Sequence, residues 1–162
     1  MKSLSEFETA RPSYASLPVR FALDTSCLIP LVAEWHQQHD QTTKSYRARL
    51  DRGEKPVIPI HALLECYSVL TRLPHPVRTD PETAAQVLAK YFEEAEIAGL
   101  EGSAGWSIIR SAASLSIGGG RVYDAAIARA ATEAGAVILV TWNVKHFLGF
   151  SPPGLAVRDP LS

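Results

Sequence analysis

The sequence predicts an α/β domain built on a mostly parallel sheet of about five short strands. Short apolar segments alternate with helical segments along most of the chain, which is the pattern of strands joined by helical crossovers. Residues 136–141 (AVILVT) are continuous, apolar and β-branched, as expected of a strand that is buried on both faces. The chain has 162 residues, 46% of them hydrophobic, which suits one domain with a substantial core.

The individual elements follow from local signals. Strands are expected at the short apolar segments, which are residues 19–23, 55–59, 96–100, 136–141 and 155–157. Helices are expected at residues 28–34, 36–52, 61–73, from 81 onward, 103–115, 121–134 and 143–148. Pro74 stops the third helix, Asp80 caps the fourth with Pro81 at its first position, and Gly135 ends the alanine-rich sixth.

The composition of the chain excludes several classes of protein. Residues 1–18 carry little apolar periodicity and predict a flexible N-terminal extension, followed by one domain over residues 19–162. The chain has neither the ~20-residue apolar run of a membrane span nor a signal-peptide pattern at its start. Cys27 and Cys66 form no spacing motif, so we expect buried thiols in a reducing cytoplasm. The net charge is −1, so attraction to a nucleic acid would need a local basic patch or a metal.

Three carboxylates lie in apolar surroundings. Asp24 lies within FALDTSCLI, Glu65 within HALLECYSVL and Asp124 within RVYDAAIA. An ionised carboxylate among apolar side chains is costly unless it is paired, hydrogen-bonded or bound to a metal. Each has an ordinary structural explanation when taken singly. Asp24 could cap the following helix, Glu65 could pair with Arg72, and Asp124 could pair with Arg121.

Taken together, the three acids predict a metal site. Asp24 and Asn143 each follow a strand, so both are expected at the carboxyl edge of the sheet, where parallel sheets bind ligands. Glu65 and Asp124 lie in the early turns of helices and can point into the same crevice. Three carboxylates within ~4 Å repel by about 4 kcal/mol per pair at an effective dielectric of ~20. Oxygen ligands without Cys or paired His favour Mg²⁺ or Mn²⁺ as the ion that relieves this repulsion.

Four segments in order carry a family resemblance. LDTSCLI, LLECYSVL, GGRVYDAAIA and VTWNVKHF resemble the motifs of the PIN domain, in particular those of the VapC toxins of bacterial type II toxin–antitoxin pairs. The resemblance runs from about residue 19 to the C-terminus. It implies a three-layer α/β/α fold and a Mg²⁺- or Mn²⁺-dependent endoribonuclease. It also implies three partners: an RNA substrate, a small antitoxin protein and a second copy of the chain in a homodimer.

The resemblance assigns roles to individual residues. Asp24, Glu65 and Asp124 match the family's acids, and Asn143 occupies the fourth catalytic position. Asp24 and Asp124 are expected to ligate the metal. His146 stands where the family often has a further acid, which leaves a second metal site in question.

RNA-contacting residues are less defined by the sequence. Arg47, Arg49 and Arg52 form a basic cluster, although a solvated helix cation is the usual role for any one of them. Lys145 lies near Asn143. Five aromatic residues could stack on bases, although core or dimer packing is the more usual use: Trp35, Tyr67, Trp106, Tyr123 and Trp142.

Two other functions remain open on the sequence alone. The same fold could serve as a non-catalytic module that binds RNA or protein. A phosphatase with an aspartyl nucleophile would also begin from an Asp after the first strand. Those enzymes usually carry a second Asp two residues later, where this chain has Ser26. Metal-dependent RNA cleavage, binding without cleavage and release of phosphate from a small ester separate the three possibilities.

Overall fold

The structure, a computed structural model, describes residues 16–149 and 151–162. Its strands are β1 (Arg20–Leu23), β2 (Lys55–Pro59), β3 (Glu96–Ala98), β4 (Ile138–Val140) and β5 (Ala156–Arg158). Its helices are α1 (Thr25–Val32), α2 (His39–Asp51), α3 (Ile60–Arg72), α4 (Pro81–Phe92), α5 (Gly102–Ser114), α6 (Arg121–Glu133) and α7 (Val144–Phe147). Most of the predicted N-terminal extension lies outside the described residues.

The five strands form one parallel sheet with the order β3-β2-β1-β4-β5. β1 is central, and Ala22 lies opposite Val57 on one side and Leu139 on the other. From β1 the chain moves to β2 and β3 at one edge, then returns past β1 to β4 and β5. Right-handed crossovers therefore place α1–α4 on one face and α5–α7 on the other. The predicted three-layer α/β/α fold with about five parallel strands is confirmed.

Two element boundaries differ from the sequence prediction for identifiable reasons. α1 begins three residues earlier than expected because the Asp24 side chain caps it at once. β4 is shorter than the apolar run 136–141, because the Ala136 amide donates instead to the Ala131 carbonyl at the end of α6. Thr141, at the other end of that run, turns its side chain toward the site described below.

The core lies on both faces of β1. Phe21, Ala22 and Leu23 are almost fully buried. Cys27 and Cys66 are free thiols within this core, and burial raises the pKa of both. They pack as small apolar residues, as the sequence predicts. None of the helices in the described ranges has the length and apolar character that crossing a bilayer requires.

Arg49 does not belong to a basic RNA-contacting cluster. Its guanidinium is buried, lies 5.3 Å from the centre of the Phe21 ring and donates to Glu54 Oε2 at 2.9 Å. Arg52 donates to the other oxygen of Glu54 at 2.8 Å. Glu54 directly precedes β2, at the amino end of the parallel strands. Arg49 and Arg52 therefore anchor the end of the sheet opposite Asp24.

The Glu54 carboxylate is expected to stabilise the fold. Although burial alone raises its pKa, hydrogen bonds from Arg49 and Arg52 lower the pKa below the usual value. Such a group stabilises the folded state at neutral pH, and the effect is lost as the pH falls through the lowered pKa. Glu54→Gln also leaves the Arg49 guanidinium buried without its counter-charge. We expect a loss of about 2 to 4 kcal/mol in urea unfolding at pH 7 and a smaller loss once the pH falls below the lowered pKa of Glu54.

Glu96→Gln is the matched control. Glu96 forms an ion pair with Arg20, and both side chains are substantially exposed. Removing an exposed pair should cost less than ~1 kcal/mol. Equal losses for the two variants would contradict the structural role given to the buried pair.

Candidate active site

Asp24 is held at the carboxyl end of the central strand. Its backbone N–H donates to the Val140 carbonyl at 3.1 Å, which ties it to β4. Its side chain caps α1 by accepting a bond from the Ser26 amide. The residue is only 4% exposed. The structural explanation of Asp24 as a helix cap is thus confirmed, and the cap also fixes the carboxylate at the predicted edge of the sheet.

Two hydroxyl groups orient this carboxylate. Ser26 Oγ and Thr141 Oγ1 each lie 2.8 Å from Asp24 Oδ2. Ser26 Oγ accepts from the Trp142 amide and Thr141 Oγ1 from the Asn143 amide, both at 2.9 Å. Because each hydroxyl accepts from a backbone N–H, its own proton is available to Asp24. These side-chain hydrogen bonds of Asp24 all reach Oδ2.

Thr141 was missed by the sequence analysis. Its side chain is completely buried, and its hydroxyl joins the end of β4 to the Asp24 carboxylate. A polar residue at the end of the otherwise apolar run AVILVT was the available signal. The loop after β4 is further tied down by Trp142, whose indole N–H donates to Thr42 Oγ1 on α2 at 2.9 Å.

Glu65 lies on α3 across the crevice. Its Oε2 accepts from Thr25 Oγ1 at 2.5 Å, so it is linked to the residue that follows Asp24. The residue is exposed, which corrects the expectation that apolar side chains surround it. In the described part of the chain no ion pair joins it to Arg72. Glu65 therefore stands at the open side of the site.

Asp124 completes the acidic group. It lies in the first turn of α6, its side chain is 21% exposed, and its Oδ2 is 3.7 Å from His146 Nδ1. Burial raises the pKa of Asp124 to about 6, and the negative charge of Asp24 adds to the rise. His146 opposes the rise and Glu65 adds to it. The three predicted acids therefore share one electrostatic environment, in which negative charge is not fully compensated.

Asn143 and its neighbours form the rim on the α7 side. Asn143 is exposed and precedes α7, and its backbone amide contacts Thr141 as described. It lines a surface cavity together with Lys145, His146 and Asp159. Arg121 also reaches this rim, where its guanidinium donates to the His146 carbonyl. The rim places cationic side chains beside the acids although the whole chain is nearly neutral.

The donor set fits Mg²⁺ or Mn²⁺, but as an open site. Over residues 16–149 and 151–162, no three His, Cys, Asp or Glu side chains converge closely enough to enclose an ion. Mg²⁺ usually binds through one or two carboxylates and keeps waters or phosphate oxygens as its other ligands. The Asp24 and Asp124 carboxylates offer such a pair, and their mutual repulsion is the charge imbalance that a cation would relieve.

His61 is a second residue that the sequence did not single out. Its ring stacks on Tyr123 with the ring centroids 4.5 Å apart and the planes inclined by 18°. Each lies near the start of its helix, His61 on α3 and Tyr123 on α6, so the stack bridges the two helices that carry Glu65 and Asp124.

Comparisons with known proteins agree with this arrangement. Residues 21–145 match the family model described as the PIN domain. The chain is 38% identical over 112 residues to ribonuclease VapC27 of Mycobacterium tuberculosis, covering 69% of this chain and 77% of that protein. It is 35% identical over 118 residues to ribonuclease VapC40 of the same species, covering 73% and 83%.

A solved structure extends the likeness to the fold. The crystal structure of VapBC2 from Rickettsia felis, bound to a DNA fragment from its promoter, aligns with a TM-score of 0.62 and 17% identity. The alignment covers 87% of this chain and 98% of that one. The family match includes all four predicted site positions, and the chain belongs to the PIN-domain family, alongside the VapC proteins.

Proposed function

We propose that this protein is a metal-dependent endoribonuclease that acts in the cytoplasm as the toxin of a toxin–antitoxin pair. The observation that carries the proposal is the group of electrostatically coupled carboxylates at the carboxyl edge of the parallel sheet. The relatives named ribonucleases support RNA as the substrate. The two free cysteines in the described chain are compatible with a reducing compartment.

Each residue of the site has a different role. Asp24 and Asp124 hold Mg²⁺ or Mn²⁺, and Ser26 and Thr141 keep the Asp24 carboxylate in place through Oδ2. When bound, such an ion stabilises negative charge on a phosphate and makes a water molecule more acidic. Glu65, at the open side, orients the attacking water. Asn143 offers an amide that can donate to or accept from water at the rim.

The proposed reaction is hydrolysis. The water oxygen forms a bond to phosphorus and releases one proton to solvent, while the bond from phosphorus to the ribose 3′-oxygen breaks and that oxygen takes up one proton from solvent. The products therefore carry 5′-phosphate and 3′-hydroxyl ends. Arg121 and Lys145, on the α6–α7 side, supply local positive charge for the RNA backbone.

The proposed protein partners are a small antitoxin and a second copy of this chain. The solved VapBC2 assembly of similar fold supports the antitoxin. An exposed apolar groove on the outer surface supports association with protein more generally, because patches of this kind mark interaction sites. It is lined by Leu63, Leu64 and Tyr67 of α3, Leu88, Ala89, Phe92 and Glu93 from the end of α4, and Ile97 of β3.

Asp24→Asn tests the catalytic assignment. The amide oxygen can still cap α1 and accept from Ser26 and Thr141, so folding should be retained, whereas the charge that holds the metal is lost. Incubated with structured RNA and Mg²⁺ or Mn²⁺, the wild-type protein should cleave, and EDTA should stop it. The variant should lose at least ~100-fold in rate, since it lacks a metal ligand.

The matched control is Asp51→Asn, which removes an exposed carboxylate at the end of α2, beside the opposite end of the sheet. It should cleave at the wild-type rate. Equal cleavage by Asp24→Asn and wild type would contradict the assignment. RNA binding without any cleavage by the wild type would favour a binding module, and phosphate release from a small ester would favour a phosphatase.

Asp124→Asn tests the metal site without measuring activity. The pKa of Asp124 in the folded protein is raised, so its ionisation costs stability as the pH rises through about 6. In EDTA at pH 8 the variant should be more stable than wild type by about 1 kcal/mol, a modest value because the carboxylate keeps contact with solvent. The gain should vanish near pH 4, where the wild-type carboxyl is largely protonated.

Added Mg²⁺ should reverse the order of stability. Binding to the folded state raises the melting temperature of the wild type, and the variant should respond weakly because one ligand is missing. Differential scanning calorimetry with and without Mg²⁺ measures both effects. Equal responses of the two proteins to Mg²⁺ would remove Asp124 from the proposed ligands.

A further inference from the structure

The stacked pair of His61 and Tyr123 has a face open to solvent. The ring planes are inclined by only 18°, which is an offset stack rather than an edge contact. Tyr123 is 51% exposed although one face of its ring lies against His61. About half of the tyrosine surface is therefore accessible to a ligand.

The pair lies beside the acids. Tyr123 directly precedes Asp124 on α6, and His61 is one helical turn before Glu65 on α3, which places their Cβ atoms about 6 Å apart. α3 starts directly after β2, so His61 lies at the carboxyl edge of the sheet, as Asp24 does. The stack is therefore next to the acids that would hold a cation for the phosphate.

We propose that His61 and Tyr123 form a platform on which one base of the RNA stacks, next to the phosphodiester that is cleaved. This inference rests on the proposed ribonuclease function and adds a base-binding subsite to it. Every nucleobase presents a π-face, so the platform contributes affinity and positioning without selecting a sequence. It would hold the RNA on the α3–α6 side, while the cation that Asp24 and Asp124 would hold attracts the phosphate.

The surrounding charge favours RNA over a protein partner at this position. Arg121 is on the first turn of the same helix as Tyr123, and Lys145 and His146 line the neighbouring rim. Phosphates on either side of a stacked base would meet the Arg121 and Lys145 cations. Neither His61 nor Tyr123 lines the apolar groove described above, which α3, α4 and β3 form.

The test measures binding separately from cleavage. In an Asp24→Asn background with Mg²⁺, a fluorescent single-stranded RNA of mixed sequence is titrated with protein, alongside an abasic chain of the same length. Tyr123→Leu and His61→Ala should each weaken binding of the intact RNA by about tenfold, and Tyr123→Phe should restore it. Leu50→Ala removes a 40%-exposed apolar side chain near the start of β2 and should change nothing. With the abasic chain, all variants should bind alike.

Three results would overturn the platform. One is equal binding of intact and abasic RNA by the parent protein, which needs no variant to fold. Another is unchanged binding of intact RNA by a folded Tyr123→Leu protein. The last is a Tyr123→Leu protein that keeps its RNA affinity but no longer forms a dimer, or that melts at a lower temperature than the parent protein. That result would show that the stack is a contact between protein groups and not a site for RNA. Failure of the proposed function is seen separately, as absence of cleavage by the wild-type protein with intact His61 and Tyr123.

Discussion

The site depends on how a single carboxylate is held. Asp24 lies where the central strand ends and α1 begins, and its side chain is almost fully buried. An ionised carboxylate in that position needs donors, and Ser26 and Thr141 supply them on one oxygen. The same bonds connect β1, α1 and the loop after β4. The groups that orient Asp24 thus also set the position of Asn143 and the rim.

The three carboxylates repel one another, and the folded protein keeps them close together despite this repulsion. Burial raises the pKa of Asp124, the charges of Asp24 and Glu65 add to the rise, and His146 and Arg121 act in the other direction. A protein optimised only for stability would remove one of these carboxylates, as single substitutions at such sites commonly stabilise. Carboxylates that stay close together despite their mutual repulsion are typical of functional sites. This repulsion agrees with the open site of oxygen donors that is proposed for the metal.

The charged side chains have different roles at the two ends of the sheet. At the amino end of the strands, Arg49 and Arg52 share Glu54, and the Arg49 guanidinium also covers the Phe21 ring. Arg49 is buried and stabilises the fold, whereas the Arg52 side chain remains largely exposed. At the carboxyl end, Arg121 and Lys145 adjoin the acids. The net charge of −1 thus coexists with a locally basic rim, and of the three arginines predicted as a cluster, Arg49 is buried and paired with Glu54.

The sequence by itself predicted the succession of strands and helices along the chain, the parallel sheet and the position of Asp24 and Asn143 at its carboxyl edge. It could do so because apolar periodicity and helix caps act over a few residues, as at Asp80 and in AVILVT, and because the family motifs are short and contiguous. Only the tertiary structure showed the burial of Arg49, the hydroxyl bond from Thr141 to Asp24 across 117 positions and the stack of His61 on Tyr123. Each depends on how layers pack over β1, and local pattern carries no information about which side chains meet across that distance.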